Sequence, residues 1–153
     1  VLFKKVPFSC CRPTSPKIPM FVPKRFNVSS FPIFCFPNLF MLVGPHNAAS
    51  FCNIPRCIEQ NVEWVSDLVD FMTAKGLATV DATLAAEEEW TEHVYQSAER
   101  MLLTKVDSWF NGINSNIPGR QTRNFLLYAA GAPAYREKCD TVAGNGYSGM
   151  SFE

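Results

Sequence analysis

The 153-residue chain is long enough for one domain with a packed core and too short for two of ordinary size. Its 47% apolar and 18% charged residues exclude general disorder, and a formal net charge of zero excludes an overall pull toward nucleic acid or an anionic membrane. That zero conceals a split: bases and no acid precede Glu59, whereas all 14 acids lie from Glu59 onward with the remaining bases, so the chain carries two compositions.

Residues 1–35 are rich in Phe, Pro, Ser, Cys and Lys. Pro7, Pro13, Pro16, Pro19, Pro23 and Pro32 remove amide donors, so neither a helix nor a central strand is expected, and the segment reads as extended or disordered. Two origins stay open for it: a genuine tail, or pyrimidine-rich non-coding DNA in translation, which yields this residue set. The opening VLFKKVPFSCC has charges but no sustained apolar run, so no secretory signal is expected. The apolar stretch FPIFCFPNLFMLVGP is shorter than a membrane helix and is broken by Pro32, Pro37 and Asn38. A soluble, cytoplasmic protein is the expectation, with no membrane or nucleic-acid partner.

From Phe36 the pattern becomes orderly, and residues 36–153 are expected to form the folded part. Leu39 to Val43 is an apolar run ending at Gly44-Pro45, the pattern of a strand buried on both faces in a parallel sheet. After the loop HNAASFC, Asn53 is placed to cap a helix with Pro55 just inside its start. Ile58, Val62, Val65, Leu68, Val69 and Met72 recur at three- and four-residue steps and predict its buried face. Lys75-Gly76 supplies the cation and left-handed stop at its end. A second helix is expected from after Asp81 to about Leu103, with Leu84, Val94, Ala98 and Leu102 as its buried stripe and Trp90 and Tyr95 flanking it. Residues 107–124 are a loop by composition, long enough to suggest function or mobility. FLLYAAG (125–131) is a candidate short strand, and YREKCDTVAGNGYSGMSF predicts a short helix followed by a glycine turn.

The six cysteines show no disulfide framework, and free, buried or partly buried thiols are expected. Zinc needs about four converging N or S ligands, and Cys52 and Cys57 have no partner pair, with only His46 and His93 elsewhere. Glu87, Glu88 and Glu89 point about 100° apart on a helix and cannot converge on one ion, so they read as a solvated face near the positive end of the helix dipole. No metal site is assigned.

Four segments in order, FPNLFMLVGP, FCNIPRCIEQNVEWVSDLV, SWFNGINSNIPGR and YREKCDTVAGNGYSGMSF, together resemble the C-terminal region of Baeyer–Villiger monooxygenases of the cyclohexanone and phenylacetone type, over Phe36 to about Phe152. The resemblance implies an α/β fragment: the mostly helical C-terminal part of a flavoprotein with two dinucleotide-binding domains, with one or two short strands. Such enzymes hold FAD and NADP and use molecular oxygen to convert a small-molecule ketone into an ester or lactone. The family's F-x-G-x-x-x-H-T fingerprint and its upstream active-site arginine are missing. A G-x-G-x-x-G pyrophosphate cradle is also expected to be absent, so no catalytic residue is assigned in the chain and oxygenation by it alone is not expected.

In related enzymes the glycine–proline after the last strand of the FAD domain, and the start of the next helix, face the flavin. The resemblance therefore implies cofactor-binding roles for Gly44, Pro45, Asn53 and Ile54; unpaired amides at a helix start favour electron density on a reduced ring. Asn53 as a plain N-cap and Ile54 as plain core packing stand beside those roles. Phe51 and Cys52 match the loop that borders the ketone pocket, Cys52 as a small apolar filler rather than a nucleophile. Trp109 matches the mobile loop over NADP and substrate, with Gly112, Pro118 and Gly119 as hinge and turn residues. The segment INSN makes this loop longer than usual in the family. Arg120 and Arg123 either approach the cofactor phosphate or solvate, the second being favoured. His46 is expected to be a surface loop residue.

Two other readings remain: a stand-alone helical binding module, and a truncated gene product. The module needs a self-contained core, for which the sequence offers too few strands.

Overall fold

The computed structural model describes residues 32–33, 36–47, 52–114, 116–117 and 123–153. Three helices carry the architecture: α1 (Ile54–Lys75), α2 (Leu84–Ala98) and α3 (Gly131–Gly144). Four short strands accompany them. β1 (Pro32–Ile33) pairs antiparallel with β2 (Phe36–Phe40), and β3 (Val80–Ala82) pairs antiparallel with β4 (Met150–Phe152). Of the segment 1–35, these two residues of β1 alone lie within the described residues.

β2 corrects the expected doubly buried parallel strand. It ends at Phe40, the second residue of the apolar run, and Phe36 and Leu39 are exposed. Its paired neighbour is antiparallel β1, and only Phe40 at its end packs against the helical core. The chain then leaves the extended conformation, with Val43 at φ 55°, which a β-branched residue adopts only under constraint. Asn38 fastens β2 to the rest: its Nδ2 donates to Ala78 O (3.1 Å) and its Oδ1 accepts from the Val80 amide (3.0 Å).

Helix α1 starts and stops where expected. Asn53 takes the extended N-cap conformation with Pro55 behind it, although its side chain makes no capping bond, and Gly76 closes the end at φ 67°. The buried face is a correction. It runs Cys57, Asn61, Trp64, Leu68, Met72, whereas Ile58, Val62 and Val69 are exposed and Val65 is half-buried. The two stripes lie one residue apart, about 100° round the axis. The core takes the stripe carrying Trp64, whose indole buries the larger area and donates to Cys139 O (3.0 Å). Ile54, Ile58, Val62 and Val69 therefore form an apolar ribbon open to solvent.

Helix α2 is capped by Thr83, whose Oγ1 accepts from the Ala86 amide (3.3 Å). Val94 and Ala98 are buried as expected, but Leu84 and Leu102 are exposed. The helix ends at Ala98 and a 3-10 turn takes over at Leu102–Lys105, so Leu102 no longer shares the helical register. The candidate strand 125–131 reduces to one parallel bridge, Asn47 to Leu127.

A self-contained core exists, against the expectation that strands would be too few. Helices build it: Trp64, Leu68 and Met72 of α1, Val94 and Ala98 of α2, and Tyr135 and Cys139 of α3 close around Phe125, Leu127, Tyr128 and Tyr147. Trp90 stacks on Tyr128 (5.3 Å between centroids, 4°), and Tyr135 meets both edge-on. Cys139 is a free buried thiol, pushed up to about 12 by burial and so protonated at neutral pH. Cys52, just before α1, and Cys57, in its first turn, are joined as a disulfide rather than free.

One further correction concerns glycines. Gly144-Asn145-Gly146-Tyr147-Ser148-Gly149 does spell G-x-G-x-x-G. Its setting is reversed, since it follows helix α3 and leads into β4, whereas a pyrophosphate cradle follows a strand and opens a helix. Gly149 serves packing instead: a Cβ there would lie 2.8 Å from Ala86 Cβ.

Candidate functional site

The mouth of α1 is open. Asn53, Ile54, Pro55 and Arg56 are exposed, the Asn53 side chain makes no capping bond, and no acid lies in the first turn. The Ile54 and Arg56 amides lie in the first turn, where no intrahelical acceptor reaches them. Such an end carries partial positive charge and accepts electron-rich groups. A sealed mouth would have excluded a flavin-facing role; this one leaves room for it.

Gly44 and Pro45 are half-buried in the turn after β2. Trp109 is 71% exposed, in a 3-10 turn (Trp109–Asn111) closed by Gly112 at φ 69°, and it stacks on Phe110 (4.2 Å between centroids). An exposed, flat indole on a short turn is free to lie over a ligand. Cys52 is half-buried beside the α1 mouth. Phe51, Pro118, Gly119 and Arg120 lie outside the described residues. Arg123 pairs with Asp107 and donates to Thr104 O (3.2 Å) and Val106 O (3.1 Å), which ties down the base of the Trp109 loop rather than offering a charge to phosphate.

The Gly44-Pro45 turn, the α1 start and the Trp109 turn are joined through residues that sequence reasoning missed. Asn47 and Asn61 are both buried: Asn47 Nδ2 donates to Asn61 Oδ1 (3.0 Å) and to Tyr135 Oη (3.1 Å). Asn61 Nδ2 in turn donates to Cys57 O inside α1. His46, expected at the surface, is 1% exposed, because residues 125–126 lie across it and its Nε2 donates to Phe125 O (2.9 Å). A carbonyl only accepts, so Nε2 carries the hydrogen; Nδ1 is buried without a hydrogen-bond partner. No hydrophobic pattern flags these residues. The available signal was three polar side chains, His46, Asn47 and Asn61, close to an apolar helix start.

Burial holds His46 below its ordinary value of 6.5, and burial together with Lys138 lowers His93 as well. Above 6.5 both rings are neutral in folded and unfolded chains, and the shift has no effect on stability. As pH falls below 6.5 the unfolded chain takes the protons first, so stability declines until pH passes below the folded values. Unfolding midpoints in urea should therefore drop between pH 7.5 and pH 5, and His46→Gln should flatten that slope. An unchanged slope would refute a buried neutral ring.

No helix among the described residues is long and apolar enough to cross a membrane. No family model matches the chain. It is 40% identical over 117 residues to 2-oxo-Delta(3)-4,5,5-trimethylcyclopentenylacetyl-CoA monooxygenase of Pseudomonas putida, covering 76% of this chain and 22% of that protein. It is 35% identical over 115 residues to a Baeyer–Villiger monooxygenase of Pseudooceanicola batsensis, covering 75% and 20%. A solved structure of OTEMO in complex with FAD and NADP superposes with a TM-score of 0.70 at 35% identity, over 81% of this chain and 22% of that one. The chain thus spans about a fifth of the length of the relatives it matches. Over that fifth, sequence and structure alike match the C-terminal part of the Baeyer–Villiger monooxygenase fold.

Proposed function

We propose that this chain supplies the flavin-side turn and the cofactor-covering loop of an FAD- and NADPH-dependent monooxygenase that turns ketones into esters or lactones in the cytoplasm, with residues 36–153 as the working unit. The carrying observation is the solvent-open start of α1, whose Asn53 makes no side-chain capping bond, in a chain whose fold matches FAD- and NADP-bound OTEMO. When bound, FAD supplies the redox chemistry with oxygen. The chain's own residues do the rest. The Ile54 and Arg56 amides offer positive potential to an electron-rich ring. Phe51 and Cys52 border the ketone and keep water away. Trp109 closes over NADP and substrate.

The test is a chimera in which residues 36–153 replace the matching part of the Pseudomonas putida relative. It should retain yellow FAD and oxygenate the relative's substrate with NADPH, and Trp109→Ala should lower kcat/KM by about 10- to 100-fold through lost positioning. The unfused chain should retain no FAD after gel filtration. A folded chimera that holds FAD yet oxygenates nothing would overturn the proposal.

The self-contained helical core favours a second reading, a stand-alone binding module. Strong amide protection across 39–72 in the isolated chain, with no gain of activity in the chimera, would select it.

A further inference from the structure

His46 stands in a left-handed conformation (φ 61°) that a side-chain-bearing residue keeps only where its surroundings enforce it. The hydrogen bonds that hold it come from one segment. The His46 amide donates to Leu126 O (2.8 Å), its ring Nε2 to Phe125 O (2.9 Å), and the Tyr128 amide to Asn47 O (3.4 Å). The same segment grips the Trp109 turn on its other side. The Leu126 amide donates to Phe110 O (2.9 Å) and the Asn124 amide to Asn111 O (2.9 Å). Asn111, 1% exposed, anchors that turn by donating to Leu103 O (2.7 Å) and Val106 O (2.6 Å). Residue 126 is thus bonded to both turns, accepting from His46 and donating to Phe110. Its ring packs edge-on against Tyr95 (6.4 Å between centroids) and donates to a main-chain carbonyl, while Nδ1 has no hydrogen-bond partner among the described residues.

We propose that His46 is a positioning residue: it pins the strap 124–128 between the Gly44-Pro45 turn and the Trp109 turn, so that the two turns move as one unit. The mechanical link is independent of any cofactor; its use, registering the flavin-side turn with the loop that covers NADP and substrate, rests on the reading above. A displacement of Trp109 on closing is transmitted through Phe110 and Leu126 to His46, and the reverse holds equally.

Amide exchange followed by NMR on the whole chain, without cofactor, tests this. His46→Leu keeps bulk but removes the ring donor. It should speed exchange at Leu126 and, through the strap, at Asn111 and Gly112 by about five- to tenfold, the effect of one lost hydrogen bond, while amides in the middle of α2 hold their rates. His46→Gln, whose side-chain amide can donate to the same carbonyl, should restore most of the protection. His46→Gly deletes the ring and relieves the left-handed backbone, and keeps the test open where leucine prevents folding. Faster exchange at Leu126 with Asn111 and Gly112 unchanged would show independent turns and overturn the proposal. A uniform rise at all amides, with no rescue by glutamine, would overturn it too, leaving His46 a role in stability alone. Failure of the chimera to oxygenate would leave this outcome untouched.

Discussion

Gly149→Ala is expected to destabilise the chain by about 3 kcal/mol, measured as the loss in urea unfolding free energy. Two independent costs combine. Gly149 has φ 87°, where a residue with a Cβ is strained, and the added Cβ would stand 2.8 Å from Ala86 Cβ. Ala86 is not the free end of a flexible side chain. It sits in the first turn of α2, so relief requires that turn to move. Moving it disturbs the helix cap, because Thr83 donates to Gly149 O from both its amide (2.9 Å) and its hydroxyl (3.0 Å). The double variant Ala86→Gly, Gly149→Ala separates the costs: it should recover the steric part and leave the backbone strain. Equal stability of Gly149→Ala and the parent would refute the close packing of the β4 turn on α2.

Asn61→Leu is expected to cost a similar amount, about 3 kcal/mol, although leucine is close in volume and the site is fully buried. Asn61 accepts from Asn47 and from Tyr135 (3.4 Å) and donates to Cys57 O, so an apolar replacement removes one buried acceptor and one buried donor together. Tyr135→Phe removes one hydroxyl and should cost roughly 1 kcal/mol. The double variant Asn61→Leu, Tyr135→Phe should depart from additivity, since both groups accept from the one Asn47 amide; full additivity would show that the groups act independently. A gain in stability for Asn61→Leu would mean that polarity here has no structural role.

How far the sequence revealed this fold depended on what each signal measures. Proline near the start and lysine–glycine at the end of α1 act on the backbone directly, and both boundaries of that helix were legible. Which face it buries was not, because two apolar stripes lie side by side and the core chose the one interrupted by Asn61. A hydrophobic pattern penalises a buried asparagine; its partners Asn47 and Tyr135, which help make it tolerable, are distant in sequence. β3 and β4 have three residues each, too few for alternation to show, and they form because they pair with one another. At the site, the resemblance proposed roles for the α1 start and the Trp109 turn, both of which are exposed in the fold. His46 escaped because a loop histidine next to Gly-Pro looks solvated until the segment at 125–128 is seen to lie over it. The glycine string of 144–149 shows the converse hazard: spacing alone mimics a nucleotide motif where the order of helix and strand forbids one.

The ribbon of Ile54, Ile58, Val62 and Val69 has a practical meaning for anyone handling the protein. Branched aliphatics in a row on a rigid rod, left wet, will stick to plastic, resin, chaperones and other copies. Ammonium sulfate will aggravate this and a mild detergent will relieve it, since excluded salts strengthen the burial of hydrocarbon and amphiphiles cover it.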